Sequence, residues 1–244
     1  MKESRIFQVK IGNEEQLATK NLVKGTEMYK EKIVRVNGEE FLEWNPYSCK
    51  LAAAIRNGLQ ILPIMKNFRI ICVGATDGST ISHISDIVGS KGSVFVIDSN
   101  KNKKSFLNKL AASHKNIISV SDNPHEQLYS TSITEKIDVL YVDIPQLDQT
   151  ELAIQKYGSL LKTGGFLMLA AKKDDNPILE NDVVGWLAEQ RAGLNKIRVL
   201  INKLKPQFQV LQEINLGLNY TMKPPFHKSH VFILAQYLQK DNDC

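Results

Sequence analysis

The sequence predicts an α/β protein in which helices cover both faces of a mostly parallel, seven-stranded sheet, with a small antiparallel β element at the N-terminus. Two observations carry this prediction. From Phe68 onward, apolar β-rich runs alternate with stretches of helical spacing, and strands that are apolar throughout are typical of parallel sheets buried on both faces. Before residue 45 the runs are short, alternate apolar with polar residues and are separated by polar turns, which is typical of antiparallel strands.

Residues 1–44 are predicted to form the small β element. They include the alternating runs IFQVKI (6–11) and KIVRVNGEEFLEW (32–44). The second run contains Asn37-Gly38, a pair that favours a tight hairpin turn. After the Asn45-Pro46 breaker, residues 49–59 have Ala, Leu and Ile at helical spacing and predict a helix that leads into the main domain, residues 45–240.

Seven apolar runs are predicted to be the strands of the main sheet. Five alternate with helices and are expected to be parallel, whereas the last two look like a terminal pair in which one strand can run antiparallel. A long stretch of helical spacing at 178–204 is predicted to cover the sheet. The seven runs are 69–73, 93–97, 116–120, 137–142, 165–171, 208–216 and 230–238.

Composition narrows the class of protein. The 244 residues are 43% hydrophobic, which suits one sizeable core with an appendage. Thirty-one Lys and Arg against 26 Asp and Glu give a net charge of +5, a mild basic excess that is compatible with RNA binding. The 3 cysteines are widely spaced, so neither a zinc site nor a disulfide framework is indicated. A signal segment and a membrane-spanning run are lacking, so we expect a soluble, intracellular protein.

Small and acidic residues follow the first three strands of the predicted sheet, at the edge where open parallel sheets bind ligands. The loop 74–80 is rich in small residues and precedes a helix whose first N–H groups are free to bind a ligand. Asp98 is placed to accept both hydroxyls of an adenosine ribose, and Asp122 to bond the adenine amino group. Each feature alone is also compatible with a turn or a helix cap.

Together the three positions predict an S-adenosylmethionine site, and with it the Rossmann-like class I fold of S-adenosylmethionine-dependent methyltransferases. The predicted cofactor-binding residues are Gly74, Ala75, Thr76, Gly78, Ser79, Thr80, Asp98, Ser99, Asp122, Asn123, Asp143 and Gln146.

Polar residues also flank the later strands. Asp143 follows the fourth strand, Lys172 ends the fifth, and His230 begins the last. Because they border long apolar runs, we expect them to converge on one rim of the sheet. A single Lys or His at a strand end is more often a solvated edge residue, and the charge run 101–104 is most simply a solvated helix start, with RNA contact as the less favoured interpretation.

Residues 29–55, 74–89 and 142–154 resemble fibrillarin, and the similarity returns at 227–237. The resemblance implies a ribose 2'-O-methyltransferase of rRNA and tRNA that acts in a box C/D ribonucleoprotein, with a guide RNA, a scaffold protein and a kink-turn-binding protein. It implies four catalytic residues, with Lys172 as the general base for the 2'-hydroxyl. The layout is similar to that of archaeal members, which implies a cytoplasmic location, or a nucleolar one in a eukaryote. The four residues are Lys50, Asp143, Lys172 and His230.

The sequence departs from the family pattern at four places. Asp77-Gly78 stands for an uncharged serine-glycine step, Ser48 for an Arg and Leu147 for a Pro, and the segment 173–177 replaces a basic one. Asp174 and Asp175, within that segment, would repel RNA phosphate.

Two alternatives therefore stay open. One is a degenerate family member that keeps the fold and the scaffold contact without methyl transfer. The other is a stand-alone methyltransferase that acts on RNA or a small molecule. A nicotinamide-dependent dehydrogenase is disfavoured, because the first loop is not GxGxxG.

Overall fold

The N-terminal region forms a small antiparallel sheet, as the alternating runs predict. The computed structural model of the chain describes residues 5–26, 31–74, 78–98, 104–120, 133–173, 183–217, 227 and 229–238. The small sheet has the strand order β1-β2-β4-β3, and every pairing in it is antiparallel. Its strands are β1 (Ile6–Ile11), β2 (Glu14–Lys20), β3 (Ile33–Val36) and β4 (Glu39–Glu43).

The predicted hairpin turn joins β3 to β4. Asn37 and Gly38 have φ values of 51° and 79°. Two successive positive φ angles define the turn that matches the twist of a two-residue hairpin. The hairpin prediction is confirmed.

The main sheet has seven strands in the order β10-β11-β9-β8-β5-β6-β7. Five strands are parallel, and β11 runs antiparallel to both β9 and β10. The prediction of a mostly parallel sheet with an antiparallel member in its terminal pair is confirmed. The strands are β5 (Arg69–Val73), β6 (Ser93–Ile97), β7 (Ile117–Val120), β8 (Ile137–Val142), β9 (Leu161–Lys172), β10 (Phe208–Asn215) and β11 (His230–Tyr237).

Five helices accompany the strands within the described ranges, and two predicted boundaries move by three or four residues. The helix predicted at 49–59 ends at Arg56, and Gly58 then turns the chain with φ of +96°. Strand β9 begins four residues earlier than predicted, because Leu161 already pairs with Ile137. No helix in these ranges is both long and apolar enough to cross a membrane. The helices are α1 (Lys50–Arg56), α2 (Ser79–Val88), α3 (Lys104–Ser113), α4 (Leu147–Gly158) and α5 (Val183–Leu204).

The two faces of the main sheet bury separate sets of apolar side chains. Residues of α1, α2 and α3 pack in one cluster, and residues of α4 and α5 in the other. On β8, Tyr141 belongs to the first cluster and Val142 to the second; on β11, Phe232 and Val231 divide in the same way. This alternation follows from the two-residue period of a strand, and it decides on which face each residue at a strand end lies.

A buried polar network joins the small sheet to α2. The Thr19 hydroxyl lies 2.7 Å from Asp86 Oδ2 and 2.8 Å from His83 Nδ1, and Asp86 Oδ1 accepts the Leu22 N–H. The Trp44 ring stacks on His83 at 4.8 Å between centroids. Burial lowers the pKa of His83 to about 3 and raises that of Asp86 to about 7. The two sheets therefore share one interface, and the boundary predicted between residues 44 and 45 stays a prediction.

We expect Thr19→Val to lower the free energy of unfolding by about 1–3 kcal/mol, because Val keeps the shape but leaves buried polar atoms without the hydroxyl. Thr19→Ser keeps the hydroxyl and is expected to lose less. Urea denaturation of the three proteins measures the difference. A Thr19→Val protein as stable as the unchanged one would show that the network does not hold the interface.

Candidate functional site

The carboxyl ends of three neighbouring strands meet at one edge of the main sheet. Val73 of β5 pairs with Ile97 of β6 on one side and with Val142 of β8 on the other. The next residue on each strand, namely Gly74, Asp98 and Asp143, therefore lies in one row, with strands spaced by about 4.8 Å. Two hydrogen bonds extend the pairing: Gly74 N–H donates to Ile97 O at 3.0 Å and Asp143 N–H donates to Val73 O at 2.9 Å.

Gly74 lies directly against the end of β8. Its φ is +77°, and a Cβ at this position would lie 2.5 Å from the Asp143 carbonyl oxygen and 2.9 Å from Ile144 Cγ1. Both the conformation and the space therefore require glycine. Gly74 and the backbone of Asp143 are therefore in close contact.

Helix α2 begins at the same edge. Gly78 is its N-cap, with φ of 79°, and has no side chain to bond the first N–H groups of the helix. Such groups, with the positive end of the helix dipole, favour polar or anionic ligands. Ser79 and Thr80 are only 2% and 1% exposed, and the Thr80 hydroxyl lies 3.2 Å from Cys49 Sγ. The Thr80 side chain is therefore occupied by packing inside the protein.

The described residues fit the cofactor predicted from the sequence. One edge of the sheet carries Gly74, the uncapped start of α2 and the half-buried carboxylate of Asp98. Gln146 is exposed at the start of α4. Cofactor binding by these residues stays a prediction. Five predicted contacts lie outside the described residues: Ala75, Thr76, Ser99, Asp122 and Asn123.

An ion pair joins α1 to β8 beside this edge. Lys50 Nζ lies 2.9 Å from Asp143 Oδ2, and the two side chains are 20% and 10% exposed. Lys50 is the first residue of α1, which packs on the face that buries Tyr141. Asp143 lies two residues after Tyr141 and thus on the same face. Partial burial shields the pair from solvent screening, unlike a surface salt bridge.

Lys172 and His230 lie on that face as well. They are register partners in the antiparallel pairing of β9 and β11. His230 is two residues before Phe232, which belongs to the cluster under α1, so both side chains project toward α1. The structure therefore brings all four predicted catalytic residues to one face at one edge of the sheet. Their catalytic roles stay predictions.

His230 is neutral near pH 7. Burial, the largest cause, and the charges of Lys50, His227, Lys172 and Lys173 together lower its pKa to about 3. A neutral imidazole beside cations can accept a proton or a hydrogen bond. These cations lie on α1 and at the end of β9, which agrees with the pairing of β9 and β11 that places Lys172 beside His230.

Sequence reasoning missed two residues at this site. The His227 ring lies 6.0 Å from the His230 ring at an interplanar angle of 83°; the spacing of two histidines before an apolar run was the available signal. For Lys173, the sequence indicates only a place in the altered segment 173–177. Its side chain is 2% exposed, and Nζ donates to Asn215 Oδ1 at 3.4 Å. Residues 174–177, including the predicted phosphate-repelling Asp174 and Asp175, lie outside the described residues.

Comparison with known proteins gives concordant results. The family model described as Fibrillarin matches residues 1–239. A curated relative, the fibrillarin-like rRNA/tRNA 2'-O-methyltransferase of Sulfurisphaera tokodaii, is 35% identical over 92% of this chain and 89% of its own length. The fold is similar to that of Aeropyrum pernix fibrillarin in complex with natively bound S-adenosyl-L-methionine, with a TM-score of 0.77, 28% identity and coverage of 95% and 94% of the two chains.

A second structure, of a fibrillarin/Nop5p complex, matches with a TM-score of 0.75 over 96% of this chain and 98% of that one. Its identity is 24%, so this likeness shows the fold alone.

We expect Gly74→Ala to destabilise the protein more than Gly38→Ala. The two glycines have similar φ, +77° and +79°, but a Cβ at Gly38 meets nothing within 4 Å. Gly38→Ala is therefore expected to cost about 1–2 kcal/mol from backbone strain alone, and Gly74→Ala about 1–3 kcal/mol more from the clash with Asp143. Urea denaturation measures both. Equal losses would show that the loop moves aside without penalty.

Proposed function

The chain belongs to the fibrillarin family, and on that premise we propose that it transfers the methyl group of S-adenosylmethionine to ribose 2'-hydroxyls of rRNA and tRNA. One observation carries the proposal: the Lys50–Asp143 ion pair, Lys172 and His230 share one face beside the edge formed by Gly74 and Asp98. A nucleophile and a methyl donor that bind side by side can react there.

The cofactor would be held by groups of the strand ends. The Asp98 carboxylate accepts the ribose hydroxyls of the adenosine, because it ends the strand next to Gly74. The first loop and the uncapped start of α2 provide backbone N–H groups. When bound, S-adenosylmethionine supplies the electrophilic methyl group that the ribose 2'-oxygen attacks.

The four residues on the adjoining face would prepare the ribose. A 2'-hydroxyl is a poor nucleophile until its proton leaves. Lys172, in its neutral amine form, takes that proton as the general base and becomes an ammonium. Asp143 orients the lysine and accepts a hydrogen bond from the hydroxyl, while Lys50 balances the charge of Asp143 at 2.9 Å. His230 stays neutral because of its lowered pKa, and it positions the ribose or relays the proton.

We further propose that the protein works within a box C/D ribonucleoprotein, with a scaffold protein, a guide RNA and a kink-turn-binding protein. Family membership supports this assignment. A location in the cytoplasm, where an archaeal box C/D particle works, is proposed with it. Because all four catalytic residue types are present and converge, an active enzyme is favoured over a degenerate family member that only binds the scaffold.

Isothermal titration with S-adenosylmethionine is expected to show saturable binding, and Asp98→Ala to weaken it by tenfold or more. The physical reason is the loss of hydrogen bonds to a charged group, each contributing about 1.5–3 kcal/mol. Glu15→Ala is the matched control, because Glu15 is an exposed carboxylate in the small sheet. No binding by the folded, unchanged protein would contradict the enzyme proposal and favour a scaffold-only role.

Lys172→Ala is expected to lower methyl transfer by about 10²–10⁴-fold, the usual contribution of a general base, while cofactor affinity stays unchanged. The assay uses the protein assembled with scaffold protein, guide RNA and target RNA, and Lys91→Ala, an exposed lysine before β6, is the control. Undiminished transfer by Lys172→Ala would rule out the assignment. Equal activity of the isolated protein on naked RNA would favour a stand-alone enzyme.

A further inference from the structure

His227 occupies a backbone conformation that side chains rarely adopt. Among the described residues, three other than glycine have a positive φ: Asn37 at 51°, Asn67 at 68° and His227 at 39°. Asparagine is the usual non-glycine residue in this region, because its short polar side chain can bond the local backbone. The backbone conformation at position 227 therefore does not explain why the residue is a histidine. Residues with strained backbones of this kind cluster at functional sites.

The His227 ring contacts residues of the active site and of the turn before α1. Its ring lies edge-on to His230, with 6.0 Å between centroids and 83° between planes. The ring donates a hydrogen bond to the Pro46 carbonyl. The main chain of His227 takes part too, since its carbonyl accepts the His230 N–H at 2.9 Å and closes the turn that leads into β11.

The ring thus connects two segments that each deliver a catalytic residue. Pro46 belongs to the turn before α1, which Asn45 holds by accepting the Tyr47 N–H at 2.8 Å and the Cys49 N–H at 3.1 Å. Lys50 follows immediately as the first residue of α1. On the other side, His230 is the first residue of β11.

We propose that His227 is a positioning residue of the active site, whose ring fixes the His230 ring and fastens the start of β11 to the turn that places Lys50. This inference rests on the proposed methyl transfer. It assigns to the chain a second histidine that acts through the first, and it explains why histidine occupies a strained backbone position.

The same geometry predicts a change in pH dependence. His230 is faced by Lys50 from α1, by Lys172 and Lys173 from β9, and by His227 from the turn. Burial, the main cause of its lowered pKa, depends in part on the covering ring of His227. Removal of that ring raises the His230 pKa from about 3 toward its ordinary value. His230 then becomes protonated at a higher pH and no longer accepts a hydrogen bond or a proton.

The test compares His227→Asn with His227→Phe. Asparagine suits the positive φ but removes the ring, whereas phenylalanine keeps an aromatic ring against His230. We expect His227→Asn to lower kcat by about tenfold and to lose activity at a higher pH than the unchanged protein as the pH falls. Cofactor affinity and the urea midpoint are expected to stay unchanged. His227→Phe is expected to recover the original pH profile, because it keeps a ring against His230, but only part of kcat, because it lacks the hydrogen bond to Pro46.

A double-mutant cycle excludes a merely structural role, including the case in which a variant is unstable. If His227 acts through His230, His227→Asn lowers kcat little further in a His230→Ala protein. Independent, additive losses would overturn the inference. So would an unchanged kcat and pH profile in His227→Asn when the unchanged protein is active; an inactive unchanged protein that folds and assembles would instead overturn the proposed function.

Discussion

The ion pair between Lys50 and Asp143 is the interaction on which the arrangement of the site depends. It joins the first residue of α1 to the first residue after β8 across 2.9 Å. A largely buried carboxylate needs a compensating charge, and removal of one partner would leave the other charge poorly solvated. The pair therefore holds α1 against the face of the sheet where Lys172 and His230 project.

The small N-terminal sheet supports the same region from outside. Trp44, just after β4, stacks on His83 of α2 and donates its indole N–H to Cys49 Sγ at 3.2 Å. Cys49 precedes Lys50 and contacts Thr80 at the start of α2. One chain of contacts thus connects the small sheet, the start of α1 and the start of α2. The Thr80 side chain takes part in this packing, and the helix start has no side-chain cap.

Most of the fold was predictable because apolar residues recur with different periods in strands and in helices. The apolar runs located β5, β6 and β8 to the residue, since buried parallel strands are apolar throughout. Boundaries that depend on partners were less predictable. The early start of β9 follows from the pairing of Leu161 with Ile137, and the early end of α1 from the turn at Gly58.

The sequence by itself determined which polar residues follow each strand and which family the chain resembles. It also determined the candidate catalytic residues Lys50, Asp143, Lys172 and His230. Only the tertiary structure decided that these four lie on one face, because strand alternation and register act between segments far apart in the chain. It also decided the burial of Lys173 and the place of His227 against His230. Burial and ring contacts are properties of the packed core, and no local pattern of residues encodes them.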